Sequence, residues 1–151
     1  MDINFGCPQR IAKRGNYGAF LMDDMDLAHR LVSTLAKGLK IPVTCKIRVF
    51  PDRERTLKYA KLMQDSGCML LAVHGRTREQ KNCREIRADW GIIKEVKELL
   101  DIPVLANGNI RHIQDADDCI AFTGCDGKSL CLCLCLCLCL CLSLSVCLLW
   151  K

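Results

Sequence analysis

The feature that most constrains the fold is a fourfold alternation of strand-like and helix-like segments along residues 1–127. Apolar residues recur at helical spacing over residues 23–39, 53–66, 90–100 and 113–122. Short apolar runs typical of strands lie at residues 1–5, 41–48, 69–74 and 102–106. Because helical crossovers join parallel neighbours, the alternation predicts an α/β protein with a parallel sheet.

Two architectures are compatible with this alternation: an open doubly wound sheet and a portion of a TIM (β/α)8 barrel. No Gly-x-Gly-x-x-Gly motif follows any of the strands, so the usual mark of a dinucleotide-binding open sheet is missing. Each strand is followed instead by polar or reactive residues, as in barrels whose strand ends build one site. We therefore predict a partial TIM barrel of about four βα units, roughly half of a full barrel, followed by an apolar low-complexity tail.

The first strand runs into the stiff loop Gly6-Cys7-Pro8. A thiol at this point could act as a nucleophile, a metal ligand or a proton donor. A lone buried cysteine is more often only a small apolar residue, although the flanking glycine and proline fix the loop and add little to packing. No nearby residues complete a zinc ligand set, so we predict no metal site.

The later strand ends carry Lys46, His74 and the turn Asn107-Gly108-Asn109. A lysine in an apolar strand must extend to solvent or meet a negative partner. The histidine could be purely structural, and Asn-Gly is a strong turn pair in its own right. Their occurrence at consecutive strand ends nevertheless favours a site for a planar, acceptor-rich, anionic cofactor such as flavin mononucleotide (FMN).

Positive charge also follows the strands. The chain carries 22 Lys and Arg against 17 Asp and Glu, a mild net charge of +5. The basic residues in question are Arg10, Lys13 and Arg14, then Arg48, Arg53 and Arg55, then Arg76, Arg78, Lys81, Arg84 and Arg87. If these segments emerge on one face, that face could bind phosphates. The alternative is a set of ordinary solvated loops.

Four motifs resemble, in order and spacing, those of the tRNA-dihydrouridine synthases. They are Asn4-Phe5-Gly6-Cys7-Pro8, Lys46-Ile47-Arg48, Val73-His74-Gly75-Arg76-Thr77 and Asn107-Gly108-Asn109-Ile110. Residues 9–21 are similar to the eukaryotic branch that modifies positions 16 and 17 of tRNA. The resemblance extends over residues 1–127.

This resemblance implies reduction of the C5=C6 bond of a uridine flipped out of the tRNA D-loop. The hydride for C6 comes from FMN that NADPH has reduced, and Cys7 corresponds to the proton donor for C5. Lys46 and His74 correspond to residues that contact the flavin. Asn107, Gly108 and Asn109 correspond to its ribityl-phosphate side. Asn4, Arg48 and Arg76 are further candidates for holding the uracil or the flavin edge.

Two alternatives stay open at this point. Dihydroorotate and dihydropyrimidine dehydrogenases also act on a pyrimidine C5–C6 bond over FMN. They typically carry Asn after the loop proline, whereas Gln9 follows Pro8 here, and Lys13-Arg14-Gly15 also favours the tRNA family. The second alternative is a catalytically inactive truncated product. Compared with complete members of the family, we expect two parts to be missing. These are the strands before Met1 and the later half of the barrel, with its phosphate loops and helical domain.

The sequence changes character at residue 128. Seven of the 13 cysteines lie in residues 128–151, where Lys128 and Lys151 are the only charged residues. The 21 uncharged residues 130–150 could span a bilayer, but cysteine at every second position matches no zinc or cluster spacing. We interpret this tail as a translated DNA repeat from a misjoined exon or a frameshift. Membrane association is expected only if the tail is genuine.

The remaining cysteines bear on the compartment. Those in residues 1–127 are isolated, and the first twenty residues contain no secretory signal. We therefore expect a reducing compartment, namely the cytoplasm, with the nucleus and the mitochondrion as alternatives. The sequence does not specify an oligomeric state.

Overall fold

The computed structural model describes residues 1–81 and 86–129 and the backbone of residues 148–149. The predicted tail therefore lies largely outside the described residues, and its interpretation stays a prediction. Among the described residues, no helix is both long enough and apolar enough to cross a bilayer.

Five parallel strands form the sheet, in the same order as in the sequence. They are β1 (Asp2–Asn4), β2 (Thr44–Arg48), β3 (Leu70–His74), β4 (Val104–Asn107) and β5 (Gly127–Ser129). A two-residue strand, β6 (Leu148–Leu149), pairs antiparallel with β5. A doubly wound sheet reverses its strand order at a switch point, whereas neighbouring barrel strands follow one another without reversal. The prediction of a partial TIM barrel is confirmed.

Helices fill every connection between the parallel strands. They are α1 (Arg10–Gly15), a 3-10 helix (Gly18–Asp23), α2 (Met25–Gly38), α3 (Arg53–Asp65), α4 (Trp90–Leu99) and α5 (Ile113–Thr123). The bounds of α2 to α5 agree with the sequence prediction to within two residues. Aspartate side chains cap three of these helices, since Asp24, Asp52 and Asp89 each accept a hydrogen bond from a first-turn amide. Both α1 and the 3-10 helix were absent from the prediction.

The two faces of the sheet differ in chemistry. Strand pairing aligns Ile47 with Val73 and Val73 with Ala106, and all three are fully buried in the core beneath the helices. Successive residues of a strand point to opposite faces, so their neighbours Arg48, His74 and Asn107 lie on the face away from the helices. The apolar rows therefore anchor the helices, and the polar row marks the concave face of the partial barrel.

Candidate functional site

The candidate site begins with a polar row at the carboxyl ends of the strands. Arg48 of β2 is paired in register with His74 of β3, which is paired in turn with Asn107 of β4. All three side chains are buried. Lys46 lies on the same face, two residues before Arg48, and is half-buried. Four sequence-predicted residues from three strands are thus brought together.

Cys7 lies beside this row in a loop whose backbone is held on several sides. The Phe5 amide donates to the Lys46 carbonyl at 2.8 Å, and the Gly6 amide donates to Asn4 Oδ1 at 2.9 Å. The Cys7 carbonyl accepts from the Ala19 amide at 3.0 Å. The Cys7 side chain is half-buried, and these hydrogen bonds fix the backbone that carries it.

Arg48 links the Cys7 loop to the loop after β3. Its Nε donates to the Gly6 carbonyl at 2.9 Å, while Nη1 donates to the Thr77 carbonyl at 2.9 Å and to the Gln80 carbonyl at 3.3 Å. A planar guanidinium donates in several directions at once, which an ammonium on a flexible stem does not reproduce. Arg48 therefore contributes to the positioning of the loop that bears Cys7.

Arg76 organises the opposite side of the row. Its Nε donates to the Ile86 carbonyl at 2.8 Å, Nη1 donates to His74 Nε2 at 3.0 Å, and Nη2 donates to Asn109 Oδ1. Because a guanidinium has no acceptor, His74 Nε2 must be the unprotonated nitrogen and Nδ1 carries the hydrogen. Arg76 thereby fixes both the tautomer and the ring position of His74.

His74 lies in a strongly cationic environment. Burial, followed by the positive charges of Arg48, Lys46 and Arg76, lowers the pKa of His74 to about 3. The imidazole is therefore neutral at physiological pH and can donate only through Nδ1. A ligand at this site meets a neutral donor surrounded by positive charge, which suits an anionic group rich in hydrogen-bond acceptors.

The lowered pKa of His74 predicts a pH-dependent stability. Its ordinary value is 6.5, so a proton binds the unfolded chain below pH 6.5 but binds the folded protein only near pH 3. The free energy of unfolding is therefore unaffected by the titration of His74 above pH 6.5. It decreases as the pH falls from 6.5 towards 3, by at most about 1.4 kcal/mol per pH unit. We expect the free energy of unfolding to fall by about 2–3 kcal/mol more between pH 7 and pH 4.5 in the parent than in His74→Gln. Urea unfolding at both pH values tests this, and equal losses would contradict it.

The turn after β4 needs a glycine at its centre. Gly108 has φ +112, and an added Cβ would lie 2.6 Å from Ala88 Cβ and 3.1 Å from His74 Cδ2. Asn109 follows with φ +64, and the Gly108 carbonyl accepts a hydrogen bond from Trp90 Nε1 at 3.0 Å. The predicted Asn-Gly turn is therefore also a point of close approach, where the Gly108 backbone leaves no room for a side chain beside Ala88 and His74.

Gly108→Ala should consequently destabilise the protein by about 2 kcal/mol, from backbone strain together with the contact to Ala88. Gly38→Ala is the matched control, because Gly38 ends α2 and has nothing within 4 Å of an added Cβ. That control should leave stability unchanged or raise it by up to about 1 kcal/mol. Thermal unfolding of both variants measures the difference, and equal melting temperatures would contradict the assigned role of Gly108.

Sequence reasoning missed the segment that supports the Cys7 loop. Gly18 has φ +61, and an added Cβ would lie 2.7 Å from the Cys7 carbonyl oxygen. Arg78 also holds this segment, since Nη1 donates to the Ala19 carbonyl at 3.3 Å and pairs with Asp23. The available signal was Asn16, which adopts φ 50 at the end of α1, since asparagine is favoured in left-handed helix caps.

Known proteins are similar to the part of the chain that forms the partial barrel. The family model described as Dihydrouridine synthase (Dus) matches residues 1–130. A tRNA-dihydrouridine(16/17) synthase-like protein of Rattus norvegicus is 52% identical over 127 residues, which cover 84% of this chain and 29% of that protein. The tRNA-dihydrouridine(16/17) synthase of Saccharomyces cerevisiae is 48% identical over 128 residues, covering 83% and 30%. The names of both relatives include NAD(P)(+).

The chain thus spans about three tenths of the length of these curated relatives. Among solved structures, a mandelate oxidase variant matches with a TM-score of 0.48 and 19% identity, covering 64% of this chain and 34% of that one.

Proposed function

The chain belongs to the dihydrouridine synthase family, and from this membership we propose that it forms part of the catalytic barrel of an FMN-dependent tRNA-dihydrouridine synthase. The proposed reaction is reduction of the C5=C6 bond of a uridine in the tRNA D-loop, with NADPH as the final reductant. Family membership also favours this reaction over that of the dihydroorotate and dihydropyrimidine dehydrogenases.

The observation that carries the proposal is the polar row formed by Arg48, His74 and Asn107, which are paired in register on neighbouring strands. Lys46 lies on the same face, and Arg48 is hydrogen-bonded to the loop that bears Cys7. Adjacent strand ends thus carry the neutral side chains of His74 and Asn107, several cationic side chains and the Cys7 thiol. In parallel barrels this end is where substrates and cofactors bind. Such a set can hold an anionic cofactor and still leave a thiol free to exchange a proton with a bound base.

The residues present fit an FMN site by the chemistry of their donors. Lys46 supplies an ammonium group, and His74 supplies a neutral Nδ1–H whose orientation Arg76 fixes. Asn107, Gly108 and Asn109 follow on the next strand, where we assign the ribityl-phosphate side. Bound FMN, once reduced by NADPH, supplies the hydride that adds to C6 of the uracil. Cationic side chains near the flavin stabilise negative charge on its reduced form.

Cys7 is proposed to donate the proton that C5 of the uracil receives when the hydride adds to C6. Bond formation at both carbons balances the reaction, with one proton leaving Sγ and returning from solvent afterwards. The loop keeps this thiol in place through main-chain contacts to Lys46 and Ala19. General acids placed in this way typically contribute about 10²–10⁴-fold to a rate.

Arg48, Arg76 and Asn4 are assigned positioning roles. The Arg48 guanidinium is bonded to carbonyls of two loops, and the Arg76 guanidinium is bonded to His74 and Asn109. Asn4 is exposed, and its Oδ1 accepts from the Gly6 amide. These contacts support an arrangement in which the three side chains position the Cys7 loop and His74.

The macromolecular partner is proposed to be tRNA, whose target base must leave its stack to reach a thiol at the strand ends. The cytoplasm is the proposed location, with the nucleus and mitochondrion as alternatives.

The experiment is a dihydrouridine assay on the purified chain. Unmodified tRNA is incubated with the chain, FMN and NADPH under anaerobic conditions, then digested and analysed by mass spectrometry for nucleosides two mass units heavier than uridine. The expected result is dihydrouridine that depends on NADPH and on the chain. A chain that binds FMN but leaves every uridine unreduced would reject the proposed activity.

A further inference from the structure

The short helix α1 carries a compact group of exposed cations. Arg10, Lys13 and Arg14 are exposed, and the helix has no acidic residue in its first turn. Among the described residues, none of the three side chains makes an ion pair or a hydrogen bond. By contrast, Arg53 and Arg78 at later strand ends are bonded to carboxylates. The α1 cations are therefore available to an external anion.

An exposed aromatic ring adjoins these cations. Tyr17 is 41% exposed, and its amide donates to the Ala12 carbonyl at 3.0 Å, which ties the residue to the end of α1. The ring lies over Gly15, where an added Cβ would be only 2.6 Å from Tyr17 Cε1. One edge of the tyrosine is thus supported by backbone. The exposed part of the residue is accessible to solvent and to a ligand.

The exposed cations of α1 and the Tyr17 ring, here called the α1–Tyr17 surface, are continuous with the Cys7 loop. Gly18, the residue after Tyr17, lies so close to Cys7 that an added Cβ would be 2.9 Å from Cys7 Cβ. The following amide, that of Ala19, donates to the Cys7 carbonyl at 3.0 Å. A molecule that reaches Cys7 would therefore have its neighbouring groups within reach of Tyr17 and α1.

We propose that the α1–Tyr17 surface binds single-stranded RNA, with a base next to the reduced uridine stacked on Tyr17 and its phosphates bound by Lys13 and Arg14. The inference rests on the proposed function for the identity of the base at Cys7. Cations beside an exposed aromatic ring match the backbone and the bases of an unpaired strand. Bases inside a duplex have no free face to stack, so the surface selects a loop or an unpaired segment.

The test is fluorescence anisotropy of a short fluorescein-labelled oligouridylate titrated with the full 151-residue chain. Base stacking on an aromatic side chain predicts that Tyr17→Ala and Tyr17→Leu each weaken binding about tenfold, while Tyr17→Phe stays within about twofold. Leucine keeps apolar bulk over Gly15 but has no aromatic face, so it separates stacking from support of the loop. Circular dichroism of each variant verifies the fold.

The charge contribution has a matched control. Lys13→Glu/Arg14→Glu should weaken binding and reduce the slope of log affinity against log salt by about 1.4, since each phosphate contact on a single strand contributes about 0.7. Lys37→Glu/Lys40→Glu makes the same change in net charge at exposed positions around the end of α2 and should have little effect. Equal weakening by both pairs, or unchanged binding by Tyr17→Leu, would overturn the inference.

This readout is independent of catalysis, because the titration contains neither FMN nor NADPH. Tyr17-dependent RNA binding without any dihydrouridine would reject the proposed function alone. Dihydrouridine formation together with RNA binding that is unchanged by substitutions at Tyr17 and in α1 would reject the present inference alone.

Discussion

Replacing Cys7 with alanine is expected to slow dihydrouridine formation by about 10²–10⁴-fold, the range that a positioned general acid contributes. The affinity for FMN should stay within about twofold, because the loop is held by main-chain contacts at Phe5, Gly6 and Cys7 that the substitution leaves intact. The measurement is a single-turnover assay with pre-reduced protein, in which the chemical step is separated from reduction by NADPH.

Two variants serve as controls for Cys7→Ala. Cys7→Ser retains a hydroxyl in place of the thiol and should keep part of the rate, since a weaker acid can still donate. Cys119→Ala removes a buried cysteine of α5 that belongs to the apolar core and not to the strand-end row, so it should change stability and leave the chemical step unchanged. A Cys7→Ala protein that reduces uridine at the parent rate would remove Cys7 from the proposed mechanism.

Replacing Arg76 with methionine is expected to destabilise the protein by at least about 2 kcal/mol, because each buried acceptor that loses its donor costs about 1–3 kcal/mol. The side chain is 3% exposed, and its loss removes the donors to the Ile86 carbonyl, His74 Nε2 and Asn109 Oδ1. Arg76→Lys should recover only part of this loss, since lysine cannot reproduce the planar fork. Urea unfolding at pH 7 measures both variants.

Arg87→Met is the matched control for Arg76→Met. Arg87 is an exposed arginine of the same connection between β3 and α4, so its loss should change stability by no more than about 0.5 kcal/mol. Similar losses in the two variants would mean that the loop tolerates any missing arginine poorly. The assigned role of the buried Arg76 guanidinium would then be wrong.

Much of the fold could be predicted because its periodicity is local. The apolar spacing of α2 to α5 and the apolar runs of β3 and β4 are direct consequences of burial against one common sheet. In α1 only Ala12 is buried, so no amphipathic stripe marks that helix in the sequence. Strand order itself is set by tertiary packing and has no local signal, so the choice of a barrel over a doubly wound sheet depended on the missing glycine motif and on the polar residues at the strand ends.

The residues of the candidate site could be predicted, but their contacts could not. Lys46, His74 and Asn107 could be found because polar residues interrupt apolar strands at their carboxyl ends. The other contacts of Arg48 and Arg76 could not, because, apart from His74, their partners are backbone carbonyls and a side chain 10–42 residues away that only the folded chain brings near. The positioning of Cys7 by Gly18 and Ala19 likewise depends on loop packing. The catalytic and binding roles of these residues stay predictions.

The most direct test of the central proposal is an equilibrium titration of FMN with the purified chain, followed by flavin fluorescence and absorbance. The proposal predicts saturable quenching with one FMN per chain, and a marked loss of affinity in Lys46→Ala, whose ammonium group we assign to the flavin. Lys37→Ala, an exposed lysine of α2, should bind like the parent. A folded chain that leaves flavin fluorescence unchanged, or that binds FMN equally well without Lys46, would contradict the assignment of the strand-end row as a flavin site.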